Sequence, residues 1–405
     1  MDIRITRFLD QALGIPLSLS LGFLAKIGRT IKAALKENSS YPVKEIVIMK
    51  FWGLGNVILI TPTLEAIRER YPQAKITFVT LEQNKSILEC FNYCDAIEIL
   101  SVKSFLTFLK GYCRLLYSLR KKKIDILIDA ETFARSSALL SLFSSARKTI
   151  GFDTPRQFKG LLFNLPLKYK EDQHIVPTFY DLAVAAGCPQ KKESDLFLSY
   201  PHIADDAKRK VEKFIRKEGG GQKKKIIIHM GTGPNAPTRR WPREHYISLV
   251  RLLLEENKNK DSGIGKGVLI FFTGAGEEEK EIHEVQKHFS HSVCNASQLK
   301  NIQELIALMK KADIFISSDT GPLHLASAVG IPTISMYGPN TPKIYGPWKG
   351  RKKSRNTILY QNMSSSPCMK NTNAKISKCI YRRPYCMLTI QPKDLLDKIR
   401  MICKT

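Results

Sequence analysis

Acidic residues are in short supply in this chain: 37 Asp and Glu stand against 64 Lys and Arg in 405 residues, a formal charge of +27. That imbalance bears on partners rather than on fold, and it points to acidic substrates, an anionic membrane surface or nucleic acid. Nucleic acid has the least behind it, because neither an RNP aromatic pattern nor paired zinc-ligand spacing accompanies the basic residues. The clusters Lys121-Lys122-Lys123, Lys223-Lys224-Lys225 and Arg351-Lys352-Lys353 adjoin element boundaries and read as solvated surface. Cysteine lacks a pattern. Nine residues, an odd and irregularly spaced set, exclude a secreted disulfide scaffold and fit a reducing cytosol. Cys368, Cys379 and Cys386 match no standard zinc spacing, so no metal site is expected.

An apolar run long enough to span a bilayer, about 20 residues, is also missing near the start of the chain. The segment Leu13–Ile27 is shorter, broken by Pro16, and flanked by Arg4, Arg7, Lys26, Arg29 and Lys32. Such a segment suits the headgroup level of an anionic membrane. A helix docked on the protein's own core is the second reading, and a cleaved signal peptide the third, weakened by the want of a small-residue cleavage site.

What is present is a regular alternation. From Tyr41-Pro42 onward, apolar runs at Glu45–Lys50, Lys75–Thr80, Ala96–Leu100, Ile124–Asp129 and Lys148–Gly151 are separated by stretches of helical periodicity. A second series follows at Lys225–Met230, Val268–Thr273, Val293–Asn295, Asp313–Ser317 and Thr333–Tyr337, with helices from about Glu244, Glu277, Ile302 and Pro322. Strands with apolar interiors and helical crossovers form parallel sheets covered on both faces. The expected organisation is an N-terminal membrane-associating segment (1–40), a Rossmann-like domain (41–215), a linker (216–225) containing Gly219-Gly220-Gly221, a second Rossmann-like domain (226–345), and a polar, basic extension with a closing helix at Pro392–Ile402 (346–405).

Four strand ends carry candidate chemistry. Gly53-Leu54-Gly55-Asn56 lets the backbone turn tightly and approach a ligand, although a simple tight turn has the same signature. At Ser318-Asp319-Thr320-Gly321-Pro322, Asp319 or Thr320 suits a helix cap and Pro322 its first turn. The amides of Thr320 and Gly321 then point at a phosphate, with His324 one turn further on. His229-Met230-Gly231-Thr232-Gly233 is followed by Thr238-Arg239-Arg240-Trp241-Pro242, where arginine offers a planar fork matched to phosphate oxygens. The run Gly274-Ala275-Gly276-Glu277-Glu278-Glu279 brings carboxylates suited either to ribose hydroxyls or to a helix N-terminus. Two glycine turns in two α/β halves suggest a ligand held between domains.

These blocks together resemble glycosyltransferase family 9, the family of the ADP-heptose lipopolysaccharide heptosyltransferases. The resemblance rests on Gly53 to Leu59 with Thr61-Pro62, on Arg239-Arg240-Trp241-Pro242, and on Asp319-Thr320-Gly321-Pro322-Leu323-His324-Leu325-Ala326 through Tyr337-Gly338-Pro339; it runs in order from about Glu45 to Ile402. It implies an α/β GT-B fold, two doubly wound Rossmann-like domains facing a cleft, and inverting, metal-independent transfer of heptose or a related sugar from a nucleoside-diphosphate donor. No cofactor besides that co-substrate is implied. By position, Thr232, Arg240, Glu277 or Glu278, and Asp319, Thr320, Gly321 and His324 would line the nucleotide and diphosphate site, with Gly53 and Gly55 on the acceptor side. Lysine is more usual in the family where Arg240 stands.

The family's proposed aspartate base is replaced here by Asn56, and an amide cannot take a hydroxyl proton at neutral pH. Glu131 in Asp129-Ala130-Glu131-Thr132 is the expected substitute, with Asp129 second. A non-catalytic or divergent sugar-nucleotide-binding protein is the alternative that Asn56 motivates. Arg68, Arg70, Arg135, Arg147 and Lys148 are expected to meet an acidic lipid-linked or lipopolysaccharide-type acceptor. The resulting location is cytoplasmic, at the inner face of the cytoplasmic membrane.

Overall fold

The computed structural model describes residues 14–16, 18–23, 42–221, 223–233, 236–258, 267–276, 278–289, 293–352, 355–361, 363–369, 379–381 and 383–404. It divides into two compact units, the first running to Leu196 and the second beginning at Phe197. Each is built on one parallel sheet.

The first sheet contains β1 (Glu45–Met49), β2 (Lys75–Thr80), β3 (Ala96–Ile99), β4 (Ile126–Asp129), β5 (Lys148–Asp153) and β6 (Leu165–Lys168), in the order β3-β2-β1-β4-β5-β6. The strand order reverses between β1 and β4, which pair in register from Ile46 with Ile126 to Met49 with Asp129. Helices α1 (Leu54–Leu59), α2 (Thr61–Arg70), α3 (Phe105–Lys121), α4 (Arg135–Phe143) and α5 (Ile175–Ala185) complete the unit. One face of the sheet closes over Val47, Met49, Val79 and Leu127, on which Leu115 and Leu119 of α3 pack. Burial on both faces explains why β1 reads as a continuous apolar run rather than an alternation.

The second sheet contains β7 (Lys224–His229), β8 (Val268–Thr273), β9 (Val293–Asn295), β10 (Ile314–Ser318), β11 (Thr333–Tyr337) and β12 (Asn356–Tyr360), in the order β12-β11-β10-β7-β8-β9. Its reversal lies between β7 and β10. The longer helices are α6 (Asp205–Lys217), α7 (Arg243–Glu256), α8 (Glu278–Gln286), α9 (Ile302–Lys311), α10 (Gly321–Val329) and α11 (Pro392–Cys403). α11 returns through Leu395, Leu396 and Ile399 to the core that also buries Trp241, Tyr246 and Leu249, and Arg400 pairs with Glu256 of α7 at 2.6 Å.

The boundary expected at 216–225 falls earlier. α6 belongs to the second unit: Lys311 of α9 pairs with Glu212 at 2.7 Å, and Lys210 pairs with Glu304. The glycine stretch ends that helix instead of serving as an interdomain hinge. Gly219 adopts φ 74°, and the amides of Gly219 and Gly220 return to the carbonyls of Arg216 and Ile215, a left-handed helix stop that glycine favours. Two edge strands escaped the periodicity. β6 contains Pro166, which a sheet tolerates at its edge, and β12 lies in the basic extension.

Of the apolar N-terminal segment, positions 14–16 and 18–23 are helical. Leu21 packs on Ala138, Leu162 and Phe163 of the first unit, while Leu19 and Phe23 are exposed. The remainder of 1–41 lies outside the described residues. No helix among the described residues is long and apolar enough to cross a membrane.

Candidate functional site

Open α/β sheets bind ligands outside the carboxyl ends of their strands, where the strand order reverses. In the second unit that place is the space above β7 and β10, and the structure gathers most of the expected donor residues there. Thr232 follows β7; Asp319, Thr320 and Gly321 follow β10. Two consecutive arginines further along the connection after β7 bind these loops. Arg239 places Nη1 2.9 Å from Asp319 Oδ2. Arg240 donates from Nε to Thr232 Oγ1 at 3.2 Å and from Nη1 to Glu281 Oε1 at 2.9 Å, with Nη2 3.8 Å from Glu278 Oε1.

Asn340, just beyond the Gly338-Pro339 pair after β11, donates to Asp319 Oδ2 at 2.8 Å. Asp319 therefore carries two partners and is nearly buried. Its neighbour Thr320 stands at the start of α10, but the hydroxyl turns to Ser317 at 2.8 Å, and neither expected residue caps the helix through a side-chain hydrogen bond. Pro322 lies in the first turn as expected. No side chain caps the first amides of the helix by a hydrogen bond, which leaves them available to an anion.

His324, expected to face the ligand, is buried, and its pKa is pushed down to about 4 by burial, against the opposing pull of Asp319. His229, half-buried at the end of β7, shifts the same way. Burial takes its pKa to about 4, with Glu278 opposing, and its Nδ1 lies 3.0 Å from Thr273 Oγ1. Both rings are neutral at physiological pH.

Glu278 takes a different part from the ribose contact or helix-terminal charge expected of it. One carboxylate oxygen accepts the Gly233 amide at 3.2 Å and the other the Ala275 amide at 3.0 Å, so it fastens the loops after β7 and β8 together. Glu277 lies outside the described residues. Glu281, Asn340 and Arg239 in its pairing with Asp319 were not singled out by sequence. Of these, Glu281 had a signal, since it stands one turn after Glu278 on the same helix.

In the first unit the reversal point carries the Gly53 turn. Gly53 adopts φ 90°, and a Cβ there would lie 3.0 Å from Asn56 Nδ2, so the position demands glycine. Gly55 lies within α1, and Asn56 donates to Trp52 O at 3.4 Å. Glu131, expected as the base, is committed elsewhere. Its Oε1 accepts from Lys50 Nζ at 2.8 Å, from the Phe51 amide at 2.6 Å and from the Trp52 amide at 2.8 Å, and both charged side chains are only 2% exposed. It holds the turn from beneath.

Asp129 is equally enclosed. It accepts from Ser137 Oγ at 2.7 Å and from the Glu131 amide at 2.9 Å, with Lys159 Nζ at 3.4 Å, and burial raises its pKa despite that lysine. Lys159 also donates to the Glu131 carbonyl. Of two wholly buried lysines, Lys50 thus ties the end of β1 to the segment after β4, and Lys159 ties the end of β4 to the segment after β5. Neither was anticipated, because buried lysine without a visible partner is rare in sequence terms.

The cations expected to meet an acceptor make bonds within the first unit, Arg147 to Asp125 at 3.5 Å while staying exposed. Arg68 bonds Asp95 at 2.6 Å and the carbonyl of Ala74, Arg70 the carbonyl of Gly187, and Arg135 is buried on the carbonyl of Gln157. Lys148 starts β5, at the opposite edge of the sheet from the Gly53 turn, and donates to Ala185 O.

Residues 112–377 match the profile described as glycosyltransferase family 9 (heptosyltransferase). A lipopolysaccharide core heptosyltransferase of Haemophilus influenzae is 26% identical over 308 residues, covering 75% of this chain and 82% of that protein. Among solved structures, a family 9 glycosyltransferase of Veillonella parvula superposes with a TM-score of 0.70 at 20% identity, covering 91% of this chain and 99% of that one. The ADP-heptose lipopolysaccharide heptosyltransferase II of Escherichia coli gives 0.67 at 17% identity, covering 89% and 98%. These likenesses show the fold, the GT-B class of two Rossmann-like units.

Proposed function

The chain belongs to glycosyltransferase family 9, and on that premise we propose that this glycosyltransferase moves heptose, or a closely related sugar, from a nucleoside-diphosphate donor to a lipopolysaccharide core or similar lipid-linked envelope glycan. The observation that carries the reading is the set of groups above β7 and β10. A cationic fork at Arg240, the threonine it touches and the start of α10 lie around one reversal point of one sheet.

The chemistry follows from what a departing diphosphate needs. Negative charge grows on the leaving oxygen as the acceptor hydroxyl, giving its proton to solvent, bonds to the anomeric carbon from the opposite face and the bond to the diphosphate breaks, which inverts that centre. Arg240 retains N–H groups beyond those given to Thr232 and Glu281, and these, with the first amides of α10, are oriented before the reaction begins. Such preorganised donors stand in for a cation, so the proposed transfer uses no metal and no cofactor besides the donor. Asp319 sets Arg239 and Asn340, and Glu278 sets the two loops beside Arg240. Glu131 acts through the Gly53 turn it holds.

A panel of nucleotide sugars tests the reading by thermal shift, because a ligand of the folded state raises apparent stability. ADP-heptose is expected to stabilise the full chain most, and acceptor-dependent release of ADP should follow. Stabilisation by no nucleotide sugar would overturn it. Tight donor binding without transfer to any acceptor would favour the second reading, a sugar-nucleotide-binding protein, for which Asn56 is the observation.

A further inference from the structure

Helix α3 has two unlike faces, and only one of them is used within its own unit. Leu115 and Leu119 are buried on the sheet, helped by Phe108, Tyr112 and Leu116, and Tyr112 donates to the Ser136 carbonyl. Along the flank of that face Phe105, Leu109, Cys113 and Tyr117 recur every fourth residue, with Leu106 further round, and form one exposed stripe. Leu106 is 67% exposed, Tyr117 61% and Phe105 51%. Apolar side chains scattered singly need no explanation, whereas a contiguous exposed row on one helix marks a contact surface.

The charges around the stripe identify the contact. The sequence FLTFLKGYCRLLYSLRK contains no Asp or Glu, and Lys110, Arg114, Arg120 and Lys121 are all exposed. Lys121 Nζ sits 4.4 Å from the Tyr117 ring centroid, so the ammonium rides on the apolar row itself. The nearby acids are already occupied: Glu98 pairs with Lys122 at 3.0 Å and Glu82 with Lys103 at 3.3 Å. A row of Phe, Leu and Tyr bordered only by cations complements a surface that is apolar beneath and anionic at its face.

We propose that α3 lies in the interface of an anionic phospholipid bilayer, with Phe105, Leu106 and Leu109 inserted below the headgroups and the four cations level with them. This places the contact on the first unit and on a helix distinct from the apolar N-terminal segment. Binding is read without nucleotide or acceptor, so the outcome is separable from the transferase reading.

The test is co-sedimentation of the full-length protein with vesicles of phosphatidylcholine alone and of phosphatidylcholine with phosphatidylglycerol. The parent protein is expected to partition onto the anionic vesicles only, and less so as salt is added. The double variants L106S/L109S and K110Q/R114Q, each with the parent's melting temperature because the positions are exposed, should each lose about tenfold or more in partitioning. Partitioning of both variants equal to the parent's would overturn the proposal. So would loss of binding in Phe23→Ser with α3 variants unaffected, which assigns the contact to the N-terminal segment. A parent dimer that L106S/L109S converts to monomer, with vesicle binding absent, would overturn it too and assign the stripe to a second copy.

Discussion

Replacing Glu131 by glutamine separates two roles that sequence cannot tell apart. As a base, Glu131 would be needed for proton transfer alone, and E131Q would fold like the parent. The structure instead gives it Lys50 at 2.8 Å with both side chains 2% exposed, and two backbone amides on the same oxygen. Glutamine keeps an oxygen for the Phe51 and Trp52 amides but withdraws the countercharge from a lysine that has only the Trp52 carbonyl left, at 2.9 Å. Breaking one side of a buried pair costs about 3–5 kcal/mol. For a unit of this size that corresponds to a melting temperature lower by roughly 6–12 °C at the smaller figure. Hydrogen exchange at Phe51 and Trp52 should accelerate with it. The companion variant K50M/E131Q removes the stranded ammonium, and is expected to recover most of the stability and a measurable part of the transfer activity, a coupling read by a double-mutant cycle. An E131Q protein with the parent's melting temperature and exchange rates but no turnover, unrelieved by Lys50→Met, would refute the structural role and restore Glu131 as the base.

Glu278→Ala should free the Gly233 and Ala275 amides and weaken nucleotide affinity about tenfold, with a stability loss of roughly 2 kcal/mol; calorimetric titration with ADP and urea unfolding measure the two. Asp319→Ala strands Arg239 and should cost about 3 kcal/mol, whereas Asp319→Asn, which keeps an acceptor for Asn340, should cost less; equal losses in urea unfolding would contradict the pairing. His229 and His324 hold folded pKa values of about 4, below the unfolded value near 6.5. The unfolded chain takes up more protons between those limits, so stability present above about pH 6.5 drains away as pH falls toward 4. The urea midpoint should drop across that window, and less steeply in His324→Asn; a flat midpoint would show that the two rings are not buried neutral.

The framework of both units was legible because strands buried on two faces announce themselves as short apolar runs between helical periods. β2, β8, β9 and β11 stand at the expected residues. The edges were not, since Pro166 in β6 and the basic setting of β12 hide strands that need only one neighbour. Residue types at strand ends singled out Thr232, Arg240 and Asp319, which the structure brings to one reversal point, but their partners lie far off in sequence. Nothing local to Glu131 reveals that Lys50 will sit beneath it, and the carboxylate therefore read as free. The same holds for Arg239, whose bond to Asp319 spans loops that only the sheet order brings together.

Trp241, next to the two arginines, donates from its indole nitrogen to the carbonyl of Ile390 at 2.9 Å. A ribosome making this protein will have delivered all twelve strands of the described residues before that strut emerges from the exit tunnel. The basic loop is consequently among the last parts of the second unit to set during synthesis, and a nascent chain halted before Ile390 would hold a finished sheet with that loop unbraced.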